Sequence, residues 1–116
     1  MMNAEIRRVE GPDELCEQVP FTLRLERASP GPGGAEYWLA RLDSPLTFSK
    51  NGRATQIRWV VLAPRFRGQT ISSRGGEIAV GLAYVLDDAQ LALEALDMSK
   101  CLYVAIADAY IQPVAG

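Results

Sequence analysis

Between residues 20 and 28 the chain alternates. Phe21, Leu23 and Leu25 take every second position, and Thr22, Arg24 and Glu26 fill the gaps. Successive side chains of an extended strand point to opposite sides of a sheet, so this rhythm marks a strand with one face in a core and one in water. Strands are also expected, with less regular alternation, over 4–10, 36–42, 46–49, 54–63, 77–86 and 101–111. Between them lie residues that break pairing or turn the chain: Gly11-Pro12-Asp13, the run Ser29-Pro30-Gly31-Pro32-Gly33-Gly34, Asp43-Ser44-Pro45 and Pro64. A single helical turn capped by Asp13 is expected over 13–18, with Leu15 facing inward.

The sharpest local signal is Asn51-Gly52, set between 46–49 and 54–63. A two-residue hairpin turn needs positive φ at both positions, and Asn-Gly supplies it at least cost. After this turn, Trp59-Val60-Val61-Leu62-Ala63 is apolar on both faces, which suits a central strand or an oligomer interface. In 77–86 the large residues Ile78, Val80, Leu82, Tyr84 and Leu86 share one face, and Ala79, Gly81 and Ala83 leave the other open to close approach. Residues 88–98 change rhythm: Leu91, Ala95 and Met98 form an apolar stripe opposite Gln90, Glu94 and Asp97, with Asp87 or Asp88 as cap. The expected fold class is α+β, a single domain over 1–116. It has a mainly antiparallel sheet of six or seven strands, with strong curvature or a barrel among its forms, and one main amphipathic helix near 88–98 packed on it. A parallel crossover over 77–111 is the alternative connection.

Composition narrows the chemistry. The chain has no histidine, which excludes Ser-His-Asp and Cys-His nucleophiles, imidazole bases and histidine zinc sites. Its two cysteines, Cys16 and Cys101, make neither a disulfide framework nor a zinc site and are read as reduced thiols. No metal and no cofactor is expected. No apolar run reaches the roughly 20 residues a membrane helix needs, and Arg7 and Arg8 precede no apolar leader, so the expected location is cytoplasmic.

Charge is unevenly distributed. The net charge of −2 combines +3 over 1–76 with −5 over 77–116. Residues 50–76 hold Lys50, Arg53, Arg58, Arg65, Arg67 and Arg74 and no acid. Such a stretch either forms an anion-binding face or pairs with the acidic final third on folding. A pI near 5.1 argues against a nucleic-acid partner.

These residues define the candidate sites. The loop 64–76 could hold a phosphate or carboxylate through Arg65, Arg67 and Arg74 and the backbone of Gly75 and Gly76. Asp108 shares alternation with Leu102, Val104 and Ile106, and partial burial there would fit it for proton transfer; the alternative, which is preferred, is a solvated strand end or a salt bridge to Arg58. Tyr37, Trp38 and Trp59 are candidates for a pocket or an interface. Asp87-Asp88 and Glu14 with Glu17 read as helix-end acids, and Ser49-Lys50 and Ser99-Lys100 as strand neighbours that face apart. The leading expectation is a non-enzymatic binding module, a homodimer that covers leftover apolar surface and binds an anionic small molecule or an acidic protein. The alternatives are a histidine-free enzyme using Asp108 or a tyrosine over a floor of Ala79, Gly81 and Ala83, and an adaptor or immunity-type protein.

Overall fold

Six strands close on themselves in this computed structural model, which describes residues 2–30, 36–66, 70–71, 75–86 and 98–113. They are β1 (Met2–Glu10), β2 (Phe21–Pro30), β3 (Glu36–Lys50), β4 (Arg53–Pro64), β5 (Gly76–Val85) and β6 (Cys101–Pro113). The four-residue helix α1 (Asp13–Cys16) joins β1 to β2, and a 3-10 turn, Met98–Lys100, precedes β6. Every strand pairs antiparallel with its neighbours in sequence, and β6 returns to β1. Closure removes the open edges that a flat sheet would carry.

The antiparallel sheet is as expected, but the α+β class is not borne out. The helix proposed near 88–98 falls almost wholly outside the described residues, and α1 is the only α-helix among those described. A parallel crossover is excluded because β5 and β6 are antiparallel neighbours. Residues 36–42 and 46–49 are one strand, not two. β3 runs through Asp43-Ser44-Pro45, with a register shift between Arg41 and Leu46. The last β2–β3 pair is Leu23 with Leu42, so the missing N–H of Pro45 interrupts no ladder on that side. Asp43 accepts a hydrogen bond from the Thr22 hydroxyl at the same place. Pro12, not Asp13, stands at the N-cap of α1, with no side-chain cap.

The barrel interior is packed solid with apolar side chains. Ile6, Leu23, Leu25, Val60, Leu62, Val80 and Leu82 are fully buried there, and Leu15 of α1 joins them. A barrel of six strands is narrow, so large residues from the other strands leave room mainly for small ones along the middle of the sixth. β6 accordingly turns Ala105, Ala107 and Ala109 inward. Gly11 lies against this strand: a Cβ there would come within 2.8 Å of the Ala105 Cβ, so only glycine fits without displacement. The outward face carries charge on Arg24, Glu26, Arg41, Glu77 and Asp108, all exposed. Apolar inside and charged outside is the reverse of a membrane-spanning barrel. Among the described residues no helix is long and apolar enough to cross a membrane.

One part of the sheet leaves the barrel. β4 pairs with β5 only from Val60 to Pro64, so 53–59 have β3 alone as a partner. The β3–β4 segment over 46–57 is therefore a two-stranded arm, turned by Asn51 at φ 53° and Gly52 at φ 77°. Gln18 ties it down. Its side-chain amide donates to the Thr47 and Glu14 carbonyls, each at 3.0 Å, and its carbonyl accepts from the Thr47 N–H at 2.7 Å.

Candidate functional site

The loop 64–76 begins where Pro64 ends β4. The Arg65 N–H donates to the Ala79 carbonyl at 3.1 Å, continuing the β4–β5 ladder one step. Further on, Ile71 is buried in the barrel core and pins the loop at its middle. Gly75 and Gly76 have φ 86° and 108°, a conformation that side chains resist, and they lead the chain into β5. On this anchored frame the side chains of Arg65 and Phe66 are exposed, with the guanidinium carbon 5.1 Å from the ring centroid. Cation and ring in that relation attract each other. Arg67 and Arg74 lie outside the described residues, so of the three arginines only Arg65 is placed.

The two described acids of the final third, Glu77 and Asp108, do not neutralise Arg53, Arg58 or Arg65. Glu77 lies 3.6 Å from Arg7, and Asp108 lies 4.0 Å from Arg8. Both of those arginines belong to β1. Arg53, Arg58 and Arg65 are exposed and make no ion pair with any described residue.

Of the readings for Asp108, the structure agrees with solvation and not with burial or a bridge to Arg58: the side chain points outward, 58% exposed beside Arg8. The cause is the register shift between Leu82 and Ala83, opposite which β6 carries one extra residue. Leu102 and Ala105 therefore both face the core, and the alternation beyond them is inverted relative to the pattern read from Leu102, Val104 and Ile106.

The aromatic set divides between two faces. Trp38 packs against the barrel core and donates its indole N–H to Glu36 at 2.7 Å. Tyr37 and Trp59 lie outside, against a second apolar cluster of Leu39, Val61, Ala83 and Val85. Those four point away from the core yet are buried, between 1% and 5% exposed, within a single chain. The leftover apolar surface that motivated a homodimer is thus largely covered already. The small face of β5 does border a shallow groove of about 140 Å³, with Ala63, Gly81 and Ala83 as floor and Tyr37 and Tyr103 on its sides. Gly81 admits the Tyr103 ring, whose Cε2 would stand 3.2 Å from an added Cβ. No carboxylate lines this groove, and Asp108 is not part of it.

Sequence reading missed two arrangements. Arg24 and Arg41 are direct cross-strand partners on the outer wall, and Arg41 also stands 6.0 Å from the Trp59 ring. Glu26 and Asp43 share their groove, so the pair is not a bare cationic site. The other is Tyr84, which is buried with its ring edge-on to Phe48 at 5.2 Å. Burial, reinforced by the Glu14 carboxylate, pushes its phenol up to about 12, too high for proton transfer near neutrality. Among the described residues no group of acids and cysteines could hold a metal, and neither cysteine is in a disulfide. Comparison with protein-family models, curated proteins and solved structures finds no match to the chain.

Proposed function

We propose that this protein is a non-enzymatic binding module that takes an anionic small molecule at the loop 64–76, with Arg65 as the described member of the site. One observation carries the proposal. Arg65 follows a strand end anchored at Ala79, on a loop whose Ile71 is buried, and it has no ion-pair partner among the described residues, while the described carboxylates of the final third, Glu77 and Asp108, lie beside Arg7 and Arg8. Its forked guanidinium donors match a carboxylate or a phosphate. Phe66 beside it adds a flat apolar surface for the ligand's remainder. Gly75, Gly76, Arg67 and Arg74 complete the proposed site. The charged exterior and cysteines outside any disulfide suit work in the cytoplasm.

The test is thermal unfolding of the whole chain with phosphate, pyrophosphate and citrate at matched ionic strength. A ligand at ten times its Kd raises stability by about 1.4 kcal/mol, which for a chain of this size raises Tm by several degrees. The rise should shrink in Arg65→Ala and vanish when Arg67 and Arg74 are also alanine. No anion-specific rise, or a rise that survives the triple substitution, defeats the reading.

A further inference from the structure

We infer that the free edge of the β3–β4 arm is a docking strand for an extended acidic peptide, at a site separate from the loop 64–76.

The phase of the hydrogen bonding gives the first argument. In an antiparallel pair, residues directly opposite alternate between exchanging backbone hydrogen bonds and turning those groups outward. Thr47 uses both its N–H and its C=O on the Gln18 side chain, so both groups point away from β4. Its partner Gln56 must then point its own N–H and C=O to the far side. The two-residue turn agrees: Lys50 and Arg53 close it, and counting outward makes Phe48–Thr55 and Leu46–Ile57 the bonded pairs, with Ala54 and Gln56 turned out.

The two edges of the arm thus differ in one respect. On the β3 side, the Gln18 amide supplies a donor and an acceptor to Thr47, as a neighbouring strand would. On the β4 side, β5 first pairs at Val60, and no described residue meets the backbone of Ala54 or Gln56. Arg53, Ala54, Thr55, Gln56 and Arg58 are all exposed. An open row of alternating N–H and C=O groups is what strand addition requires.

Charge selects the occupant. Arg53 and Arg58 bracket this edge on opposite faces, neither is ion-paired with a described residue, and no acid occurs anywhere in 50–76. A second copy pairing about Gln56 would gather four arginines on one ribbon with no opposing charge, which like-charge repulsion disfavours. A peptide with carboxylates on both faces meets one arginine on each.

The experiment uses the whole protein and two synthetic peptides of eight residues, read by amide chemical shift and hydrogen exchange. The Glu-Thr peptide is a Glu-Glu-Thr-Thr repeat, which sets carboxylates on both faces of a strand, and the Lys-Thr peptide is the matching Lys-Lys-Thr-Thr repeat. The Glu-Thr peptide should shift Ala54 and Gln56 saturably and slow their exchange about tenfold or more, and the Lys-Thr peptide should not. Gln56→Pro should abolish the effect while leaving Tm nearly unchanged, because that N–H serves no bond within the arm. If that variant loosens the arm, the pair Arg53→Glu and Arg58→Glu is the second check and should reverse the preference toward Lys-Thr. The inference is overturned by the absence of Ala54 and Gln56 protection at millimolar Glu-Thr, or by equal protection from both peptides. It is equally overturned if protection grows with protein concentration alone, which would make the occupant a second copy. An intact anion response at Arg65 leaves this result to stand or fall on its own.

Discussion

The barrel wall and the β3–β4 arm are made from the same kind of sequence and live under different constraints. In the wall, each strand has two hydrogen-bonded neighbours, and its inward side chains meet those of five other strands. In the arm, each strand has one neighbour, and most side chains from Arg53 to Gln56 face water. The wall is held by burial. The arm is held by its turn, by Gln18, by the contact of Phe48 with Tyr84 and, at its base only, by burial of Leu46 and Ile57 in the core. The contrast teaches that extended structure beyond a closed barrel needs its own fastening, and that whatever edge the fastening does not cover stays available to a partner.

Four experiments separate these regions. Leu82→Ala strikes the wall where Leu82 is wholly buried, and it should cost about 3–4 kcal/mol in urea unfolding, with loss of protection in all six strands together. A loss confined to β5 would break the idea of one cooperative wall. Gln18→Ala strikes the fastening of the arm and strands two backbone groups of Thr47, at a cost of about 2 kcal/mol. Hydrogen exchange should then quicken at Phe48 and Thr55 before it does at Leu62.

Tyr84 lies at the junction and gives a pH signature. Its phenol is raised from 10.0 to about 12 in the folded state, so the folded protein holds the proton that the unfolded chain releases. The stabilisation is complete below pH 10 and is lost as pH climbs toward 12, by about 2 kcal/mol in total. Tyr84→Phe should flatten that decline, and an unchanged slope would show that another group produces it. The smallest effect is expected at Gly52→Ala, where φ of 77° disfavours a side chain although nothing crowds the added Cβ. About 1 kcal/mol should be lost, and amide exchange should change in the arm alone.

Much of this architecture was legible in local pattern. The Asn51-Gly52 turn, the strand of Phe21, Leu23 and Leu25, and the large and small faces of β5 follow from turn chemistry and period two, which neighbours in sequence decide. Leu86 is an exception, exposed past the last pairing of β5. The failures share a different cause. Asp43-Ser44-Pro45 carries every mark of a turn, yet β3 continues through it because β2 has already departed and no ladder bond is lost. Leu102, Val104 and Ile106 are mostly larger than their alternates, so simple alternation turns them, and Asp108 with them, toward the core. The extra residue in β6 and the narrowness of the barrel put the alanines inside instead. Of the candidate site, the exposure of Arg65 followed from composition, whereas its anchoring and its lack of an acidic partner among the described residues did not.

Strand periodicity, the hairpin turn, the exclusion of histidine chemistry and the cationic run over 50–76 are properties of residues near one another in the chain, and the chain alone sufficed to state them. Closure into a barrel, the pairing of Glu77 and Asp108 with β1 arginines, and the fastening of one edge of the arm but not the other depend on which strands become neighbours. Those choices are made by packing between residues far apart in sequence, where the free energy of filling a shared core outweighs any local preference.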